Sequence, residues 1–273
     1  METSQVRHQG ERAKNSEWLD VAIRIGLVAY GIVHLTIAWL AAQLALGDRS
    51  GGASQQGALH HLAGEPFGKI LVWAIALGMF SLVIWQLLEA ALGHRGEEGG
   101  KRIRKRATSA LKAVIYGYIG VLAVKTVTGG SSGSSGGGAK SSTAKAMTVP
   151  GGAFVVGLIG VAVIGYGAGL AWRGWKEKFA EHLDSGGKTG EVGKAYLLLG
   201  KVGYIAKGVA MAVVGGLFCY AALTHDPNKA GGLDAALHEV LQQTLGVLLL
   251  LAIAVGLACY GLFCFARARH LNS

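Results

Sequence analysis

Six predominantly apolar tracts, at 21–46, 68–92, 107–128, 152–172, 197–223 and 243–266, alternate with short polar connections. Each has about the 20 residues an α-helix needs to cross roughly 30 Å of hydrocarbon. A tract such as LGVLLLLAIAVGLACYGLFCF (245–265) has no polar face, so it does not read as the half-exposed helix of a soluble bundle. In lipid every backbone amide must bond internally, which makes these tracts helices and not strands of a small barrel. The pattern predicts an all-α polytopic membrane protein with six transmembrane helices. The polar stretch 1–20 lacks an apolar core followed by a small-residue cleavage site, so the first tract is expected to remain as an uncleaved anchor.

Composition sharpens this picture. Of 273 residues, 51% are hydrophobic and 15% charged, against about 25% charged in an ordinary soluble domain. The mean hydropathy is +0.41. Glycine stands at 44 residues with no Gly-X-Y period, which excludes a collagen. Three cysteines in 273 residues exclude a disulfide scaffold, and a soluble enzyme is a poor fit.

The formal charge of +10 is unevenly placed. Eighteen Lys and Arg lie in the segment through Arg24, in the connections 93–106 and 173–201, and at the C-terminus; five lie in the other three connections. By the positive-inside bias both termini are expected in the cytoplasm. The same bias accounts for the charge without a nucleic-acid partner. KRIRKR (101–106) has an ordinary topological role beside a membrane helix, and the basic connections 93–106 and 173–201 suit anionic lipid head groups. Of the outer connections, 47–67 and 224–242 suit short interfacial helices. The middle one carries TGGSSGSSGGGAKSST (128–143), which reads as a flexible tether.

The chain repeats with a period near 90 residues, one helical hairpin per unit: 21–92, 107–172 and 197–266. RIGLVAYG (24–31), ALKAVIYG (110–117) and KVGYIAKG (201–208) align without gaps, superposing Gly31, Gly117 and Gly208. In the even tracts Gly78, Gly165 and Gly256 each precede an aromatic residue by seven positions, at Trp85, Trp172 and Phe263. GALHHLAGEPFG (57–68) aligns with AALHEVLQQTLG (235–246), setting His60 on His238 and Gly68 on Gly246. Because each unit crosses twice, the three share one orientation, as parallel repeats about an axis along the membrane normal. The aligned glycines, Gly31, Gly117, Gly208, Gly78, Gly165 and Gly256, are expected at helix contacts, where small residues let backbones approach.

These stretches, with ALHHLAGEPFG (58–68) and IALGMFSLVIW (75–85), resemble the bacterial membrane domain of unknown function 1206. The resemblance covers nearly all of the chain beyond residue 20. It departs in the middle unit, where KAMTVPGGAF (145–154) replaces the A-L-x-x-L segment. It implies three tandem two-helix units in a membrane, with no assigned reaction and therefore no active site to carry over.

Ionisable side chains inside spans are the candidates for function. Lys207 holds the register of Tyr30 and Tyr116, which places three polar-tipped side chains at one depth about the axis. His34 is the deepest titratable group. Together Lys207, Tyr30, Tyr116 and His34 are the expected lining of any pore or cavity. Lys112 and Lys125 lie near span ends, where a long stem lets an ammonium reach the interface. A second cluster, His60, Glu65, Asp234 and His238, with His61, Asp226 and Glu239 nearby, is expected on the outer face. Without HxH, HExxH or CxxC spacing it assigns no metal site. Cys219, Cys259 and Cys264 read as small buried hydrophobes. GEVGK (190–194) falls short of a phosphate-binding loop, and no nucleophile elbow is present.

The expectation is a non-catalytic membrane scaffold or module that binds an unidentified protein partner, with no cofactor. The alternative is a small channel or transporter with its path along the repeat axis. A continuous polar path would separate the two.

Overall fold

A computed structural model describes residues 2–48, 52–92, 99–129, 137–183 and 186–270. Among these the ordered elements are helical. They are α1 (Glu2–Ala45), α2 (Gln55–Gly64), α3 (Gly68–Leu92), α4 (Gly99–Val127), α5 (Gly137–Met147), α6 (Gly152–Trp175), α7 (Gly190–Thr224), α8 (Leu233–Leu241) and α9 (Gly246–Arg269), with 3₁₀ turns at Lys178–His182 and Pro227–Lys229. Six of them, α1, α3, α4, α6, α7 and α9, are long and apolar enough to cross a membrane. α1, α4 and α7 begin well before their apolar tracts. Their leading residues include many Lys, Arg, Glu and Ala, which are good helix formers, so the helix continues past the apolar boundary.

The six spans form a ring in the order α1, α3, α4, α6, α7, α9. The broad interfaces are α3 on α4, α6 on α7 and α9 on α1, each joining one hairpin to the next. Glycines permit them. A Cβ at Gly31 would lie 2.9 Å from the Gly261 carbonyl oxygen, and one at Gly208 would press on the carbonyl of Gly167. Gly117 faces Val83 at 3.8 Å, a looser version of the same contact. Within hairpins the contacts are narrower: α1 packs on α3 and α7 on α9. The middle hairpin differs, because α4 and α6 form no packed interface among the described residues.

The sequence alignment placed Gly165 beside Gly78 and Gly256, and the structure corrects it. Gly165 is exposed and a Cβ there would meet nothing within 4 Å. The register is set instead at the start of each even helix. A Cβ at Gly68, Gly152 or Gly246 would collide with the carbonyl end of the short helix before it, at Leu62, Ala146 or Leu241. Counting from these three glycines, α6 sits three residues from the sequence alignment, close to one helical turn. Tyr166 then matches Leu82 and Tyr260, and Gly167 matches Val83 and Gly261. The glycines of α6 that pack closely on α7 are Gly160, against Gly215, Gly167, against Gly208, and Gly174, against Lys201. Gly78 and Gly256 do lie against neighbouring helices, at Gly26 and Ala206.

A second correction concerns the middle outer connection. Residues 137–143 of the expected tether belong to α5, which packs on α6 and on the turn at Pro227–Lys229, burying Thr143. Residues 130–136 lie outside the described residues. α5 therefore stands where α2 and α8 stand in the other units, so each hairpin carries a short helix at the end opposite the basic connections. Ser54 caps α2 by accepting from the Gly57 amide at 3.2 Å.

Toward that end the ring is filled. Ile37, Leu40 and Leu44 of α1, Met79 of α3, Ile119 of α4 and Leu250 of α9 are all under 2% exposed. Outward faces carry Trp39, Ile84, Val114, Phe154 and Leu248, an arrangement stable only against hydrocarbon.

Candidate functional site

Tyr30 and His34 are one helical turn apart on α1 and both point into the ring, with His34 2% exposed. The His34 Nδ1–H donates to the Tyr30 backbone carbonyl at 2.9 Å. That bond fixes the tautomer and leaves Nε2 as an acceptor. Lys207 on α7 uses both groups. Its ammonium donates to the Tyr30 Oη at 2.6 Å and to His34 Nε2 at 3.1 Å. It also lies 4.0 Å above the centre of the Tyr260 ring and 4.7 Å from that of Tyr30. A desolvated cation over an aromatic face gains on the order of 2 kcal/mol. Three donors thus meet two lone pairs and an aromatic face, all of them neutral.

The residues singled out in the sequence therefore come together, with one substitution of role. Tyr116 touches the Tyr30 ring, with centroids 5.3 Å apart, and has no bond to the ammonium. The second ring on Lys207 is Tyr260, on α9, which sequence reasoning missed. The corrected register would have found it, since Tyr260 and Tyr166 are equivalent positions of the even helices. Lys112, expected to snorkel, turns inward.

Between this floor and the basic end lies a cavity of about 50 Å³ bordered by all six spans. Lys112, Arg173, Lys207 and Arg267 line it, together with Tyr30, Tyr116, Tyr166, Tyr204 and Tyr260. Among the described residues no carboxylate lines it. Glu89, at the end of α3, acts on Lys112 electrostatically from outside the lining. Arg173 and Arg267 occupy equivalent positions of α6 and α9, one on each side of α7, at the mouth. From Tyr260 to Arg267 is seven residues of helix, so the cavity runs roughly 10 Å along the axis. Gln86 also lines it, 2% exposed and with Oε1 lacking any hydrogen-bond partner. The Arg267 Nε is likewise buried without a partner. The chemistry on offer is anion binding by positive charge and phenol hydroxyls in a low-dielectric site, with the Gln86 Oε1 beside them as an acceptor for a donor group.

The outer cluster does not converge. His60 is exposed, and His61 lies 4.0 Å from Glu65 on the same helix. Asp234 accepts from the Ala53 amide at 2.8 Å, tying the first outer connection to α8, and stands 3.7 Å from His238. His238 Nδ1 instead bonds the Asp234 carbonyl at 2.9 Å. Among the described residues no three His, Cys, Asp or Glu gather as metal ligands would. Cys264 is buried, and all three cysteines are free thiols.

A family described as a domain of unknown function, number 1206, matches three times, at residues 25–93, 107–177 and 202–270. The ends of the three matches are spaced as the corrected register of the even helices requires, to within one residue. The chain is 28% identical over 261 residues to the uncharacterized protein YxxB of Bacillus subtilis (strain 168), covering 94% of this chain and 92% of that one. No solved structure matches.

Proposed function

The chain belongs to the domain of unknown function 1206 family, and from that premise we propose a non-catalytic binding module of the bacterial cytoplasmic membrane, with both termini cytoplasmic. The observation that carries this reading is that the polar interior ends blind. Beyond His34 the ring is packed with Ile37, Leu40, Leu44, Met79 and Leu250, none of which offers a hydrated ion a partner. A conduit needs polar groups or an open width along its whole length. The basic connections at 93–106 and 173–201 would meet anionic head groups and an unidentified protein partner on the cytoplasmic face. No cofactor and no nucleic acid enters this role.

The channel reading draws on one observation, the convergence of Lys207, Tyr30, Tyr116 and His34 at a cavity bordered by every span. Flux separates the two. Proteoliposomes holding the purified protein and a chloride-reporting dye should leak no faster than protein-free vesicles. An anion flux that disappears in Lys207→Met would establish the conduit and overturn the binding module.

A further inference from the structure

In the first and third units glycine lets the two helices of a hairpin touch. A Cβ at Gly26 would press on Leu82 and lie 2.7 Å from the Gly78 carbonyl oxygen. One at Gly203 would lie 2.6 Å from the Tyr260 amide nitrogen. The equivalent residue of the middle unit is Lys112. A lysine cannot occupy that contact, and its helix, α4, does not pack on α6. The facing side of α6 is correspondingly bare. Where α3 carries Trp85 and α9 carries Phe263, which packs on Tyr204 of α7, α6 carries Gly169. Gly169 and Gly165 are both exposed, with open space where a Cβ would stand. The ring is therefore open on one side, at the level of the cavity, and the surroundings there are hydrocarbon.

Two features point to what fills it. Among the described residues the cavity wall holds four cations and no carboxylate, and none of Lys112, Arg173, Lys207 and Arg267 makes an ion pair. Gln86, buried and aimed into the same space, has an unengaged amide oxygen. A cavity of about 50 Å³ has room for a phosphate group or a few waters. We propose that the cavity and the gap between α4 and α6 bind one anionic phospholipid, its phosphate held by Lys112, Arg173 and Arg267 and its acyl chain laid over Gly165 and Gly169. Guanidinium and phosphate form charge-assisted bonds, often two at once. Gln86 meets a headgroup hydroxyl, as a glycerol headgroup supplies. The mouth lies at the basic end of the bundle, where lipid head groups are found, so a lipid enters sideways without its phosphate crossing hydrocarbon. The site deepens the binding-module reading and rests on it, since an occupied dead end is a place of binding.

The test uses the full chain purified in detergent, with lipid retention read by native mass spectrometry and stability by thermal denaturation. Phosphatidylglycerol should be retained and should raise the midpoint, whereas phosphatidylcholine with the same chains should do neither. The double variant Arg173→Gln/Arg267→Gln removes two charged contacts and should retain phosphatidylglycerol at least about tenfold less well, the factor that about 1.4 kcal/mol supplies. Lys101→Gln/Arg104→Gln, exposed at the start of α4, should change retention little. Gly169→Trp removes no charge and supplies the aromatic that α3 has at Trp85, so it should block the chain and cost the same tenfold. It also serves if the arginine variant fails to fold. Equal stabilisation by inorganic phosphate alone would overturn the lipid in favour of a free anion. Equal loss in the two charge variants would show a diffuse electrostatic belt, and full retention in Gly169→Trp would show that the gap is not used. The flux assay above is independent of these outcomes, so failure of the lipid site and failure of the binding module are distinguishable.

Discussion

Lys207 is an ammonium stabilised without a carboxylate. An isolated buried charge costs far more than a buried hydroxyl or amide unless its donors are met. Here they are met by the Tyr30 Oη, by His34 Nε2 and by the Tyr260 ring. None of these cancels the charge, so Lys207 adds to the positive field of Lys112, Arg173 and Arg267. Because the ammonium and His34 share one bond, their replacements should not act independently. In a cycle of His34→Leu, Lys207→Met and the double variant, thermal denaturation should show a departure from additivity of about 1–3 kcal/mol. Strict additivity would mean that the two side chains do not meet. The register of Lys207 with Tyr30 and Tyr116 was legible in the sequence, because gapless repeats put equivalent residues at one depth. Which of the two phenols takes the bond was not legible: the choice depends on side-chain direction and on a third helix, α9.

At the scale of a helix the decisive quantity is register. A Cβ at Gly208 would crowd the Gly167 carbonyl and lie 2.7 Å from the Ala171 amide nitrogen, both in backbone that cannot yield easily. Gly208→Ala should therefore destabilise by about 1–3 kcal/mol, the usual cost of overpacking. Gly165→Ala meets open space and should be neutral or slightly stabilising, since alanine favours helix over glycine by about 1 kcal/mol. Paired denaturation curves check this, and a loss at Gly165 as large as that at Gly208 would restore the alignment read from the sequence. That alignment went astray for a physical reason. α6 does hold a glycine seven residues before an aromatic, Gly165 before Trp172, but that spacing alone does not say that the glycine packs. What fixes α6 is a backbone contact at Gly152 with the end of α5, a helix hidden in sequence by the Gly and Ser that precede it. α5 gains its stability by packing on α6, as helices this short generally must.

For the whole molecule, the number of crossings follows from the spans, and the Lys/Arg bias predicts the side that each connection reaches. With the native cysteines replaced, a cysteine placed at exposed Lys194 should be labelled from the cytoplasmic side. One placed at exposed Lys140 of α5 should be labelled from the opposite side. Labelling of both from one side would remove an odd number of crossings between them.

The sequence by itself determined six helices, their common orientation in three hairpins, and the shared depth of Lys207, Tyr30 and Tyr116. Those properties depend on apolar length, on periodicity and on charge placement, all of which are local or repeat along the chain. The tertiary structure alone decided which hairpin stays open. Lys112 in place of Gly26 and Gly203, and Gly169 in place of Trp85 and Phe263, are single differences within a glycine-rich repeat. Their meaning appears only where α4 and α6 face each other without a packed interface among the described residues. It likewise decided that Arg173, Arg267, Gln86 and Tyr260 share one cavity, because these residues come from three helices whose angular positions about the axis no linear pattern specifies.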